Sequence, residues 1–225
     1  MSQSALVVFD LDGTLIDADC AQEWLTFLKR KGFPGAKEAE NVCAEIMQNY
    51  DSGNMDMHEY MGYWVAPIAG LPVVEMDALA EEFANTVMQP RVFLEGFACV
   101  KAHLDAGDTV LLISASPTLV VRPIASLFGI SHVIGIDIIT QGDKYTRRVK
   151  EPLSFGPGKL KCLQQWQCKR QINSHTLSNM YSDSMNDLPL LMYAEQAVVV
   201  NADTIVAEKA KRYNWQIEHW EIVAN

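Results

Sequence analysis

Ala5-Leu6-Val7-Val8-Phe9-Asp10-Leu11-Asp12-Gly13-Thr14 is the stretch on which the fold turns. Five apolar residues, rich in β-branched and aromatic side chains and cut off sharply at Asp10, predict a short strand buried inside a parallel sheet. In open α/β sheets ligands gather outside the carboxyl ends of strands, where Asp10 and Asp12 stand here. Extended residues two apart point to one side, so both acids can serve one site. Two crowded carboxylates repel unless a cation or a proton offsets the charge, and a hard divalent ion bound by oxygens, magnesium first, is the simplest choice. Taken alone, the same residues read more readily as a helix cap and a turn.

The 225 residues suffice for one α/β domain with a large core and a smaller insertion. No apolar run approaches the length of a membrane span, and the first is too short for a signal peptide, so a cytoplasmic chain is expected. A net charge of −10 argues against nucleic acid, which is bound through lysine and arginine. The charge is concentrated. Residues 16–90 hold thirteen Asp and Glu against four Lys and Arg, and the remainder is nearly neutral. Five cysteines, Cys20, Cys43, Cys99, Cys162 and Cys168, form no Cys-x-x-Cys pair and read as reduced, mostly buried thiols.

After the first strand, Asp19-x-x-Gln22 reads as a capping box for a helix that Gly32 and Pro34 end. Helical patterns follow at about 36–50, 56–66 and 73–88, with no strand among them, and predict a small helical bundle. The bundle holds six of the ten methionines and the Tyr60, Tyr63, Trp64 group, a composition that suits a core and also a cap over a cleft. From residue 95 helix and strand alternate: a helix over 96–106, a strand over 109–113 leading into Ser114-Ala115-Ser116-Pro117, and a helix to Gly129. Strands are further predicted at 133–136, 177–182 and 197–200, with a hairpin of 136–140 and 145–149 beside the sheet.

Three more polar points fall at strand or helix ends. Ser114 and the amides opening the next helix can bind a phosphoryl oxygen, or simply cap that helix. Lys159, after Phe155-Gly156-Pro157-Gly158, can neutralise a transferring phosphoryl group or stand in solvent. Lys144, Arg147, Arg148 and Lys150 form either a lure for a dianion or a solvated hairpin. In Tyr181-Ser182-Asp183-Ser184-Met185-Asn186-Asp187, Asp183 reads as a metal ligand with Asp187 supporting it, or as a helix cap with a first-turn acid.

The order strand-Asp-x-Asp-Gly-Thr, helical insert, strand-Ser, Gly-x-Lys, strand-Ser-Asp-x-x-Asn-Asp resembles the haloacid dehalogenase (HAD) superfamily over essentially the whole chain, and most of all its phosphoserine-phosphatase-like subfamily. The resemblance implies a Rossmann-like parallel sheet with helices on both faces. Residues 1–15 and 91–225 would form this core, with an all-helical C1-type cap at 16–90. It implies Asp10 as the nucleophile that forms a phosphoaspartate, and Asp12 as the acid that protonates the leaving alcohol and later activates water. Ser114 and Lys159 would bind phosphoryl oxygens. Magnesium (Mg2+) would be held by Asp10, the Asp12 carbonyl and Asp183, with Asn186 and Asp187 supporting the site and Thr14 and Gly13 shaping the nucleophile loop. The expected partner is a small phosphomonoester, and the chain would work as a monomer or homodimer. Cap closure would turn on hinges near Ile16-Asp17 and Pro90-Arg91. A phosphoserine phosphatase or a phosphomutase is the alternative within this chemistry, and a phosphoacceptor signalling module or a silent binding protein the alternative of a different class.

The resemblance also has a gap. Phosphoserine phosphatases use a cap-side arginine for the substrate carboxylate and a glutamate for its amine. Here Asp19 stands at the glutamate position, and residues 32–90 contain no arginine and only Lys37. An acidic cap repels a second anion, so the preferred substrate is expected to have a cationic or neutral body, such as an amino alcohol phosphate or histidinol phosphate, rather than phosphoserine.

Overall fold

The computed structural model describes residues 4–48, 55–170 and 177–222. The stretch predicted as a strand is β1 (Leu6–Phe9), buried at all four positions in the middle of a six-stranded sheet. Its parallel neighbours are β2 (Thr109–Pro117) on one side and β6 (Leu177–Ser182) on the other, with Phe9 level with Leu112 and Tyr181. Beyond β2 lies β3 (His132–Ile136); beyond β6 lie β7 (Ala194–Val200) and β8 (Gln216–Glu218). The sheet order β3-β2-β1-β6-β7-β8 reverses direction at β1. A reversal parts the flanking loops and opens a crevice at the strand's carboxyl end, where Asp10 begins.

Between β1 and β2 the chain forms α1 (Cys20–Arg30), α2 (Ala36–Met47), α3 (Met57–Val65) and α4 (Val73–Phe83), then α5 (Leu94–Asp105). The helix predicted to reach 88 keeps α geometry only to Phe83 and widens to a π turn over Ala84–Met88. The Gly53-Asn54 break and the end of the 36–50 helix lie outside the described residues. Trp24, Phe27, Trp64 and Phe83 pack ring against ring inside the bundle, and the Trp64 indole donates to the Ala21 carbonyl at 2.9 Å. Most of its methionines are core: Met55, Met57, Met61, Met76 and Met88 are buried. The outgoing and returning strands of chain are stitched together, Asp17 N to Arg91 O at 2.9 Å and Phe93 N to Leu15 O at 3.0 Å.

The remaining helices are α6 (Thr118–Leu127), α7 (Pro157–Lys169), α8 (Leu188–Tyr193) and α9 (Thr204–Tyr213). The predicted hairpin is β4 (Ile138–Gln141) with β5 (Lys144–Val149), a separate antiparallel pair. It is clipped to the helical insertion: Gly70 N donates to Tyr145 O, Tyr145 N to Leu71 O and Val73 N to Asp143 O. Two departures from the sequence pattern matter. β2 runs on to Pro117 with a register shift after Ile113, so Ser114 and Ser116 belong to the strand. β8 was not anticipated, because Gln-Ile-Glu is too short to show a strand period.

Candidate active site

Asp10 leaves β1 with its amide bonded to the Tyr181 carbonyl at 3.0 Å, which aims the residue out of the sheet's edge. Its Oδ1 accepts the Lys159 ammonium at 2.8 Å, and the same nitrogen lies 2.6 Å from Asp187 Oδ1. Lys159 is 1% exposed, which excludes the solvated reading. It is presented by the first turn of α7, whose approach needs Gly158: a Cβ there would lie 2.0 Å from the Leu153 carbonyl oxygen. Asp187 is fixed from behind by the Ser182 hydroxyl at 2.8 Å. Its contact in the structure is therefore with Lys159.

Asp183 is gripped by Thr14 in both directions. The Thr14 hydroxyl donates to Asp183 Oδ1 at 2.9 Å and accepts from the Asp183 amide at 3.0 Å. Gly13, at φ 75°, leaves the carboxylate its space, since a Cβ would fall 2.2 Å from Asp183 Oδ2. The cap of the turn at Met185–Asp187 is Ser184, whose Oγ accepts the Asn186 amide, so Asp183 is released from the capping role. Asp12 Oδ1 accepts the Cys20 amide at 2.7 Å and Oδ2 accepts the Ser116 hydroxyl at 2.8 Å. Ser114 is 1% exposed, and its Oγ accepts the Ser116 amide at 3.0 Å.

Asp19 caps α1 as predicted, its Oδ1 accepting the Gln22 amide at 2.9 Å. The reciprocal half of the capping box is not made, because the Gln22 side chain turns to the Glu40 carbonyl on α2 instead. Burial, with Asp12 nearby, pushes the Asp19 carboxyl up to about 6.

Asp10, Asp12, Asp19, Ser114, Asp183 and Asn186 all line one cavity of about 350 Å³. Lys159, Thr14 and Asp187 stand immediately behind its wall. The insertion supplies the roof through Met47, Met55, Met57 and Tyr60, and the loop after β7 adds Asn201 and Asp203. Among the described residues no lysine or arginine lines it. The basic hairpin is solvated: Lys144, Arg147, Arg148 and Lys150 lie on its exposed side, Lys150 beside Asp137.

Asp10 and Asp187 share the Lys159 ammonium, with the Asp183 carboxyl close by. Burial above all, then Asp187 and Asp183, holds the Asp10 carboxyl well above its ordinary value against the pull of Lys159. Burial likewise raises Asp12, and it lifts Asp183 to about 7, with Asp187 adding to the rise against the Thr14 hydrogen bond. This uncompensated negative charge fits a divalent cation. Among the described residues no group of three His, Cys, Asp or Glu side chains forms a metal site by itself. Asp10 and Asp183 are hard oxygen donors on one cavity wall, the kind of donor a hard divalent cation takes together with water and phosphate oxygens.

Ser116, Tyr60 and the methionines of the roof were not anticipated as site residues. Ser116 had a signal, since Ser-Ala-Ser on a strand turns both hydroxyls to one side. The roof had only a compositional one, the methionines and aromatics of the insertion, because an amphipathic helix does not say which of its apolar positions face a cleft.

An acid pair at the switch point of a parallel sheet, a buried lysine, a strand-end serine and a helical roof form one site on a Rossmann-like α/β core. The profile described as haloacid dehalogenase-like hydrolase matches residues 7–192, and the chain belongs to that family. It is an enzyme of the phosphatase class, like its relatives. A protein of Neisseria meningitidis serogroup C named histidinol-phosphatase is 33% identical over 215 residues, 94% of this chain and 97% of that one. A phosphoserine phosphatase of Mycobacterium tuberculosis is 25% identical over 97% of this chain and 72% of its own length. Among solved structures, a Bordetella pertussis protein described as of unknown function superposes with a TM-score of 0.85 at 30% identity, over 96% of this chain and 99% of that one. A substrate-bound phosphoserine phosphatase gives 0.68 at 17% identity, over 99% and 95%, a likeness of fold. No helix among the described residues is long and apolar enough to cross a membrane.

Proposed function

We propose that the protein is a magnesium-dependent phosphomonoesterase that works through a phosphoaspartate on Asp10, and that its substrate carries a cationic or neutral body, histidinol phosphate before phosphoserine. The observation that carries the substrate reading is the cavity itself. Its phosphoryl end has Asp10, Ser114 and, behind them, Lys159, whereas the end under the insertion offers Asp19, Tyr60 and methionines with no described cation to receive a carboxylate. An aromatic face, polarisable thioethers and a carboxylate suit a flat or amino-bearing cation. The histidinol-phosphatase relative, matched along almost its full length, supports the choice.

Asp10 attacks phosphorus while the bond to the leaving alcohol breaks, and the alcohol oxygen takes a proton from Asp12. Asp12, now a carboxylate, draws a proton from water as that water attacks phosphorus, which releases inorganic phosphate and restores Asp10. Lys159 orients the Asp10 carboxylate and offsets negative charge on the phosphoryl group, and Ser114 donates to one of its oxygens. Asp10, Asp183 and the Asp12 carbonyl would hold magnesium, which supplies further charge neutralisation at phosphorus. The helical insertion covers the cavity and keeps bulk water from the phosphoaspartate.

The test is phosphate release from histidinol phosphate, 2-aminoethyl phosphate and phosphoserine, with and without magnesium, using Asp10→Asn as the blank. Magnesium-dependent release that is lost in the variant, with kcat/KM higher for both amines than for phosphoserine, is expected. Phosphoserine ranking first would overturn the substrate reading. Undiminished release by Asp10→Asn would overturn the mechanism.

A further inference from the structure

Asp12 is clamped from both sides of the cleft, and the two clamps differ in kind. Oδ1 accepts the amide of Cys20, the first residue of α1, at 2.7 Å. Oδ2 accepts the hydroxyl of Ser116, from β2, at 2.8 Å. A backbone N–H can only donate, so Oδ1 must remain an acceptor whether or not the carboxyl carries a proton. A hydroxyl donates or accepts and rotates to suit its neighbour. The transferable proton therefore belongs on Oδ2, beside a hydroxyl able to keep a hydrogen bond in either state; the Cys20 thiol, a much weaker donor and acceptor, also lies against this pair.

Ser116 is itself held in place. It is 6% exposed, and its amide donates to Ser114 Oγ at 3.0 Å, so one residue ties the carboxyl to the serine that faces the phosphoryl group. The register shift of β2 after Ile113 lies at this segment. Both Asp12 and Ser116 line the cavity over Asp10. A serine filling space in a sheet would need none of these features together.

We infer that Ser116 is the positioning residue for proton delivery: its hydroxyl fixes Asp12 Oδ2 toward the cavity in both halves of the reaction. The inference rests on the reading of Asp12 as the acid and base. As the P–O bond to the alcohol breaks, its electron pair stays on the alcohol oxygen, which takes the proton from Oδ2. The bared Oδ2 then accepts the Ser116 O–H, the arrangement in the structure. When Oδ2 later takes a proton from the attacking water, the hydroxyl turns to accept it.

The consequence is a dependence on the leaving group. p-Nitrophenolate departs without a proton, whereas an alkoxide needs one, and kcat/KM covers only the steps through the first P–O cleavage. Hydrolysis of the phosphoaspartate, common to every ester, drops out. We would compare kcat/KM for 2-aminoethyl phosphate and p-nitrophenyl phosphate in wild type, Ser116→Ala, Ser116→Thr and Asp12→Asn. In Ser116→Ala the alkyl-to-aryl ratio should fall about tenfold or more, a part of the roughly 100- to 10,000-fold that general acid catalysis supplies. Ser116→Thr, which keeps the hydroxyl, should hold the wild-type ratio. A general disturbance of the fold lowers both rates and leaves the ratio alone.

An unchanged ratio in Ser116→Ala, or an equal fall in Ser116→Thr, would overturn the inference. Asp12→Asn separates the two levels: if its ratio falls and that of Ser116→Ala does not, Ser116 loses its role and Asp12 keeps its own. If the Asp12→Asn ratio does not move, the acid role itself is gone, and that of Ser116 with it.

Discussion

Asp183→Asn should make the metal-free protein more stable while abolishing its activity. Burial, with Asp187 nearby, lifts the Asp183 carboxyl from the usual 3.8 to about 7 in the folded chain. Below about pH 4 the group is protonated in both the folded and unfolded states and has no effect on stability. Between about 4 and 7 the folded state retains a proton that the unfolded chain has lost, so the folded state becomes progressively less stable as pH rises. Above 7 the penalty is complete. A gap of about three pH units at 1.36 kcal/mol each gives a ceiling of about 4 kcal/mol. Asp183 keeps some contact with the cavity, and screening by water there lowers the expectation to about 2–4 kcal/mol. Asparagine preserves the Oδ1 acceptor for Thr14 and carries no charge. For a chain of this length the gain corresponds to a rise in Tm of roughly 5–15 °C. The assay is thermal unfolding in chelator at pH 4 and pH 8, beside phosphate release with magnesium. Equal Tm differences at the two pH values, or none at pH 8, would refute the charge argument. Magnesium should raise the Tm of the wild type at pH 8 and leave that of the variant unmoved, since an ion stabilises only the state that binds it.

Two further substitutions test the same site. Gly13→Ala places a methyl 2.2 Å from Asp183 Oδ2 at a φ of 75°, so it should cost about 1–2 kcal/mol in backbone strain and weaken magnesium activation, read as a higher half-saturating concentration. Lys159→Met leaves Asp10 and Asp187 buried without their shared cation. A loss of about 3–5 kcal/mol, partly recovered in mildly acid buffer as the carboxyls take up protons, should accompany a fall of about 100-fold or more in kcat/KM. A Tm independent of pH in this variant would contradict the pairing.

Much of the molecule is written locally. The run Leu6–Phe9 suited an inner strand better than a helix, and its abrupt end at Asp10 marked the sheet's active edge, because burial on both faces demands unbroken apolar residues. Spacing supplied Asp10 with Asp12, the helix cap at Asp19 and the hairpin around Gly142. These signals lie within a few residues of one another and follow from backbone period and capping chemistry. What needed the tertiary structure was every relation between distant segments. Lys159 has no local mark that separates a buried ion-pair partner from a solvated lysine; it is buried because α7 delivers it 149 positions away in sequence to Asp10. Asp187, read from sequence as support for Asp183 or as a first-turn acid, meets that lysine for the same reason. Ser116 came to Asp12 across 104 positions, and the insertion's Tyr60 and methionines became a roof only once the sheet order had fixed where the cleft opens. A sequence determines which groups are available and how each short segment turns; which of them meet, and which carboxylate is left without a counter-charge, is decided by packing.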